Sequence, residues 1–293
     1  MTATLPVIVN AGGGAAAKAG DKLETQLAEA FAKAGIDAEI MLVRGEEISA
    51  TLDRVLKSHG RVAIGGGDGT IGSAALAVSE AGATMGVLPL GTRNHLARQL
   101  GVGPELDKAV AAIAAGRTRE IDIGRIADRG FVNNVSIGLY PKVVRLRDDA
   151  PLPKAIANFP AAWTSLKRLR HHRLRVIADG TAETIRTPML FIGNNVYSLE
   201  PGSLGQRENL EGGKLGVYAV AAKSRLGLIG FAISALRGRI DYERDFAQLT
   251  ACRTLEINAH AGSLDVAIDG EPVRLPTPIK LEIVPRALKV FAP

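Results

Sequence analysis

A mostly parallel α/β domain followed by a second, mainly antiparallel β-rich domain is the fold this sequence predicts. Three observations carry the prediction. The first 125 residues alternate short apolar runs with longer amphipathic ones, the pattern of strand and helix units in a parallel sheet with helices on both faces. After Asp122 the texture changes to strand-like runs separated by glycine and polar clusters. The length, 293 residues, is near twice a typical domain of ~150.

In order, the first half reads as a strand over Leu5 to Val9, a helix near Ala16 to Ala34, a strand over Ala38 to Leu42 and a helix near Glu46 to Ser58. Strands over Val62 to Ile64 and Met85 to Leu88 follow, with helices near Ile71 to Ala81, Asn94 to Leu100 and Leu106 to Ala115. In the second half the strands are Phe131 to Val135, Leu174 to Ala178, Met189 to Ile192, Leu215 to Val220, Thr254 to Asn258 and Leu264 to Ile268. Two helical interruptions are expected near Lys154 to Arg170 and Arg225 to Leu236. The expected domains are 1–123, with 286–293 returning to it, and 124–285.

Composition narrows the class. Hydrophobic residues make up 46% and charged residues 23%, which argues against disorder, collagen-like repeats and coiled coil. The formal net charge of +6 favours an anionic partner without identifying it. One cysteine, Cys252, excludes an intramolecular disulfide and a four-cysteine zinc site, and fits a reducing compartment. The first strand lacks the basic leader and apolar run of a signal peptide, and the longest apolar stretch, near Leu226 to Leu236, is shorter than the ~20 residues that span a bilayer.

Chemistry concentrates where strands end. Arg61 to Ile64 runs into Gly65-Gly66-Gly67-Asp68-Gly69-Thr70 and then a helix. Such a turn brings backbone N–H groups close to phosphate oxygens, and the helix N-terminus adds positive potential. Asp68 repels a bare phosphate but suits Mg²⁺, which bridges carboxylates and nucleotide phosphates; it equally suits a helix cap. A second turn, Pro89-Leu90-Gly91-Thr92-Arg93-Asn94, offers Thr92 and Asn94 as neutral phosphate or ribose ligands, with Asn94 also reading as a cap. A third, Asn10-Ala11-Gly12-Gly13-Gly14, closes the first strand. Gly67-x-Gly69-x-x-Gly72 formally matches the dinucleotide fingerprint but follows the third strand and lacks the downstream acid, and no Walker-type loop occurs.

Asn10 with its glycines, Gly66-Gly67-Asp68-Gly69-Thr70, Pro89-Leu90-Gly91-Thr92-x-Asn94-x-x-Ala97, Gly193-Asn194-Asn195 and Asp269-Gly270-Glu271 run in the order found in the diacylglycerol kinase catalytic-domain family, which the whole chain resembles. The resemblance implies a nucleotide-binding three-layer α/β domain, then a β-sandwich domain, with the last strand, near Ala287 to Phe291, returning to the first. It implies transfer of the γ-phosphoryl group of ATP to a lipid hydroxyl, diacylglycerol-like, with Mg²⁺. Gly66, Gly67, Asp68, Gly69, Thr70, Thr92 and Asn94 then hold phosphates and metal, Asn10 borders the nucleotide, and Glu271 accepts the proton. A lipid hydroxyl is a poor nucleophile until a carboxylate takes that proton. Asp269 lies on the same face as Glu271 if the segment is extended, whereas a turn at Gly270 re-aims it; an exposed Asp-Gly hairpin explains the same letters.

The sequence departs from the family pattern at Gly72 and Ser73, at His95 in place of an Asp, and at Gly212, which aligns with a metal-supporting Asp. Asp122 matches another family acid, and Glu211 supplies a carboxylate beside Gly212, so Asp68, Asp122 and Glu211 form the expected metal set.

Phe159, Trp163, Leu166 and Leu169 form an apolar stripe that ends in Lys167, Arg168, Arg170, His171, His172 and Arg173, the pattern of a helix lying on an anionic membrane or of a domain helix with a solvated basic end. The expected partners are a nucleotide and a lipid at a membrane surface, with no nucleic-acid signature and no decision on homo-oligomers; the expected location is cytoplasmic, peripheral to the inner leaflet. His59, His95 and His260 are scattered, and neither a G-x-S-x-G elbow nor an HExxH motif is present. Against the lipid kinase stand an NAD kinase-like enzyme, which shares the GGDGT turn, and a nucleotide- or lipid-binding regulator of weak activity.

Overall fold

The computed structural model describes residues 4–13, 16, 22–138, 172–198, 207, 209–220 and 246–293. The helices expected near 154–170 and 225–236 lie outside these residues, and with the first of them the membrane-contact reading of its stripe. The chain divides into two compact units, Met1–Asn133 with Val284–Pro293, and Asn134–Ile283.

The first unit runs β1 (Leu5–Asn10), α1 (Lys22–Lys33), β2 (Ala38–Val43), a 3-10 turn (Gly45–Glu47), α2 (Ile48–Leu56), β3 (Arg61–Gly66), α3 (Asp68–Glu80), β4 (Thr84–Pro89), α4 (His95–Gln99), α5 (Leu106–Ala115), β5 (Thr118–Ile126) and β6 (Arg129–Phe131). Its strands order as β2-β1-β3-β4, all parallel, with the end of the chain's last strand beyond β4. The helices bury one stripe each: Leu23, Leu27 and Phe31 of α1, and Ile48, Leu52 and Val55 of α2, spaced three to four apart as a helical face demands. Because β1 to β2 and β2 to β3 step in opposite directions, right-handed crossovers send α1 and α2 to opposite faces of the sheet. On α1's side α5 lies flat on β4, where a Cβ on Gly86 would stand 2.6 Å from Ile113.

The expected junction after Ile123 falls inside β5, which the sequence reading did not recognise. β5 pairs antiparallel with β6, and the Phe131 ring covers Gly124 so closely that a Cβ there would lie 2.1 Å from it. The predicted strand Phe131 to Val135 is therefore two, broken at Val132-Asn133 between β6 and the first strand of the second unit.

That unit contains β7 (Asn134–Gly138), β8 (His172–Ala178), β9 (Thr181–Thr187), β10 (Met189–Asn194), β11 (Leu215–Val220), β12 (Phe246–Cys252), β13 (Thr254–Ala259), β14 (Ser263–Ile268), β15 (Glu271–Pro276) and the start of β16 (Ile279–Phe291). One antiparallel sheet orders as β12-β11-β10-β7-β14-β15, the other as β16-β13-β8-β9. The pair forms a β-sandwich, its core supplied by alternating residues such as Val135, Ile192, Val217 and Val266 from one sheet and Leu174, Val176, Leu255 and Ile257 from the other. The β8–β9 hairpin turns at Asp179 (φ 46°) and Gly180 (φ 84°). The Asp179 carboxylate accepts hydrogen bonds from the amides of Arg253 (3.0 Å) and Thr254 (2.8 Å) and from the Thr254 hydroxyl, and these hold its pKa below the ordinary 3.8.

Candidate functional site

In the first unit the strand order reverses direction beside β1. The connections leaving the carboxyl ends of β1 and β3 run to opposite faces of the sheet, which opens between them the kind of crevice where open α/β sheets bind ligands. Asn10, the last residue of β1, spans it. Its Oδ1 accepts from the Gly12 amide (3.0 Å), and its Nδ2 donates to the Thr70 hydroxyl (3.0 Å) at the start of α3. The loop after β2 joins the same cluster, since a Cβ on Gly45 would lie 3.4 Å from that amide nitrogen.

α3 begins at Asp68, three residues earlier than its hydrophobic pattern indicates, with extended Gly67 (ψ 177°) as its cap residue. The first intrahelical bond is Ile71 N–H to the Gly67 carbonyl (3.0 Å), so the N–H groups of Asp68, Gly69 and Thr70 precede the ladder and point out of the helix end. No side chain can enter the floor of this turn. A Cβ on Gly66 would lie 2.7 Å from Thr70, and one on Gly91 would lie 2.4 Å from the Gly67 Cα, so the turns after β3 and β4 meet backbone to backbone. This bare, N–H-lined surface fits a phosphate group.

Asp68 caps a helix, though not its own. Its Oδ2 accepts from the His95 amide (3.2 Å) and its Oδ1 from the Leu96 amide (3.3 Å), tying α3 to the start of α4. Each oxygen retains a lone pair and the residue is half-buried, so the hard oxygen donor that Mg²⁺ requires is present. Asn94, expected as a phosphate or ribose ligand or as a cap, is the N-cap residue of α4 by position, its carbonyl accepting from Arg98 N–H (3.1 Å), while its side chain is bonded to the loop before it. It adopts the left-handed conformation (φ 50°) without a side-chain cap bond; its Oδ1 accepts from Gly91 N–H (2.9 Å), and its Nδ2 donates to the carbonyls of Gly91 (2.9 Å) and Pro89 (3.2 Å). It braces the loop that presents the exposed Thr92.

Asp122 is 1% exposed, and its Oδ1 accepts from the Arg286 amide (2.8 Å), where β16 takes a positive φ of 50°. That bond commits one of its oxygens to backbone. Among the described residues no group of three or more His, Cys, Asp or Glu side chains gathers as metal ligands. Of the expected set, Asp68 and Asp122 belong to the first unit and Glu211 to the second.

In the second unit Asp269 (φ 47°) and Gly270 (φ 92°) make the two-residue turn between β14 and β15, so Asp269 and Glu271 do not share the face an extended segment would give them. Asp269 pins the hairpin to the start of β7. Its Oδ1 accepts from the Asn134 amide (2.9 Å) and its own amide donates to the Asn134 carbonyl (2.8 Å). Glu271, exposed at the tip, keeps its carboxylate outside that anchor. Glu211 is on the loop before β11, its amide bonded to Asn209 Oδ1 (3.1 Å). At the neighbouring Gly212 a Cβ would lie 2.9 Å from both Asn195 Oδ1 and Asn209 Oδ1, so a side chain there requires those two amides to shift.

Sequence reasoning missed the support of the Gly193-Asn194-Asn195 stretch. The Tyr218 hydroxyl accepts from Tyr197 N–H (2.8 Å) and donates to its carbonyl (3.0 Å), while the Tyr197 and Tyr218 rings cover Gly193 and Gly216. The signal was two glycines in adjacent strands, each followed by a tyrosine.

Residues 4–126 match the diacylglycerol kinase catalytic domain, and residues 133–292 match the YegS C-terminal NAD kinase beta sandwich-like domain. The chain belongs to the diacylglycerol kinase catalytic-domain family. It is 28% identical over 247 residues to a diacylglycerol kinase of Mycobacterium tuberculosis, covering 82% of this chain and 79% of that one. With a diacylglycerol kinase of Bacillus subtilis it shares 26% over 258 residues, covering 84% and 83%. The solved structure of a Bacillus anthracis diacylglycerol kinase, 17% identical, superposes with a TM-score of 0.66 over 99% of this chain and 97% of that one, a likeness of fold. Among the described residues no helix is long and apolar enough to cross a membrane.

Proposed function

We propose that this lipid-kinase family member transfers the γ-phosphoryl group of ATP, with Mg²⁺, to the hydroxyl of a diacylglycerol-like lipid. The observation that carries the reading is the double glycine turn, Gly66-Gly67 against Gly91, with Asp68 beside three outward N–H groups. Asn10, Gly66, Gly67, Gly69, Thr70 and Thr92 frame the phosphates, and Asp68 holds the cation. When bound there, Mg²⁺ neutralises charge on the phosphate oxygens as the phosphoryl group leaves. Asn94 and Asp122 position backbone, and Asp269 positions the hairpin that carries Glu271. Glu271 accepts the proton of the lipid hydroxyl as the new oxygen–phosphorus bond forms. Glu271→Gln should cut turnover by about 10²- to 10⁴-fold while leaving Mg-ATP affinity intact, since the base acts on the acceptor. Wild-type turnover in that variant, under conditions where chemistry limits the rate, would dismiss the assignment.

The absence of a carboxylate at Gly212, where the family resemblance places one, favours one second reading, a nucleotide- and lipid-binding regulator of weak activity. Tight Mg-ATP binding without phosphoryl transfer to any lipid of a broad panel would select it.

A further inference from the structure

We infer that the outer face of the β8–β9 hairpin is a docking surface for an anionic bilayer. On β8, Leu174 and Val176 face the sandwich core, so Arg173, Arg175 and Ile177 face outward; on β9, core-facing Ile185 and Thr187 leave Arg186, Thr184 and Ala182 outward. The register sets Arg173 directly opposite Arg186, with Arg175 two residues along the same face. Directly opposed side chains start from Cβ atoms about 5 Å apart, and like charges so placed destabilise a sheet. All three arginines are exposed, and none has an ion-pair partner among the described residues.

The nearest opposite charge on this face is Glu256, diagonal to Arg175 on β13, and the two form no ion pair. β13 sets Asn258 beside Arg175 and Glu256 beside Ile177, and Glu256 already accepts a hydrogen bond from Asn258 (2.8 Å). Lys280 opposes Glu256, and Glu282 opposes Thr254 at the far end. Glu183, paired with Val176, belongs to the other face. The face is therefore cationic toward β8 and β9, and β9 is the edge of its sheet. Three convergent, unneutralised guanidinium groups suit phosphate oxygens, and an anion layer across them removes their mutual repulsion. The choice of a bilayer over another polyanion rests on the lipid-kinase reading.

The test is sedimentation of the full chain with phosphatidylcholine vesicles with and without phosphatidylglycerol. The wild type should prefer the anionic vesicles. Combined Arg173→Gln, Arg175→Gln and Arg186→Gln should weaken that binding about fivefold per residue, on the order of a hundredfold together, with no loss of Tm. Three matching lysine substitutions should retain most of it. Removing the same charge from the first unit, with Lys22→Gln, Lys33→Gln and Arg54→Gln, should leave at least most of the binding. Equal binding by the wild type and the triple glutamine variant, an equal loss in the first-unit variant, or tighter binding of duplex DNA than of anionic vesicles at matched salt would overturn the inference. Vesicle binding needs no catalysis, so a chain that docks through these arginines but phosphorylates no lipid would refute the kinase reading and leave the docking surface standing.

Discussion

Gly91→Ala is the sharpest perturbation of the paired glycine turns proposed to hold the nucleotide. Its Cβ would stand 2.4 Å from the Gly67 Cα and 2.8 Å from Asn94 Oδ1. Carbon atoms in contact rest at about 3.5–4.0 Å, so the turns after β3 and β4 must part by roughly 1.1–1.6 Å. Backbone cannot swing aside as a long side chain can. Overpacking of this kind costs about 1–3 kcal/mol, and a shift of about 1 Å in groups that orient a reacting phosphate costs on the order of a hundredfold in rate. Isothermal titration with Mg-ATP should show affinity reduced at least about tenfold, and scanning fluorimetry a Tm lowered by several degrees. Gly60→Ala, where a Cβ would meet nothing within 4 Å, should change neither. Wild-type affinity and Tm in Gly91→Ala would refute the claim that the two turns form one surface.

Asp68→Ala should abolish turnover and weaken Mg-ATP binding, and it should cost about 1 kcal/mol of stability through the lost cap on α4, read by denaturant titration. The Cys252 thiol, pushed up to about 11 by burial and then by the Asp179 charge, stays protonated near neutral pH; a thiol reagent should label it only on unfolding, and fast labelling of native protein would contradict its burial. Asp179→Ala should lower stability by about 1 kcal/mol at pH 7, a modest figure because the site is exposed to solvent. Since folding lowers this carboxyl's pKa, its contribution is present above 3.8 and is lost as pH falls through the lower folded value, so the wild type and the variant should converge in acid.

What the sequence made legible were segments whose pattern is forced by burial. β1, β3 and β4, with buried runs such as Val7, Ile8 and Val9, read directly as strands, and α5 was legible to its last residue. β9 and β15 were invisible because they lie at sheet edges, and their sequences, TAETIRT and EPVRLP, are mostly exposed. β5 was missed because Asp122 and Gly124 interrupt its apolar run, and both are explained only by distant partners, Arg286 and Phe131. The glycine turns were legible as a candidate site because glycine marks close backbone approach. The division of labour within them was not: Asp68 and Asn94 can each bind a ligand or brace a loop, and only the positions of the Gly91, His95 and Leu96 amides reveal the bracing bonds each makes.

The most direct test of the kinase account is to offer the purified chain γ-labelled ATP and Mg²⁺ with a panel of diacylglycerol-like lipids and, separately, with NAD. The account predicts label in a lipid phosphate, none in NADP, and loss of the lipid product in Asp68→Ala and Glu271→Gln. Label in NADP alone, or Mg-ATP binding with no labelled lipid anywhere in the panel, would contradict it.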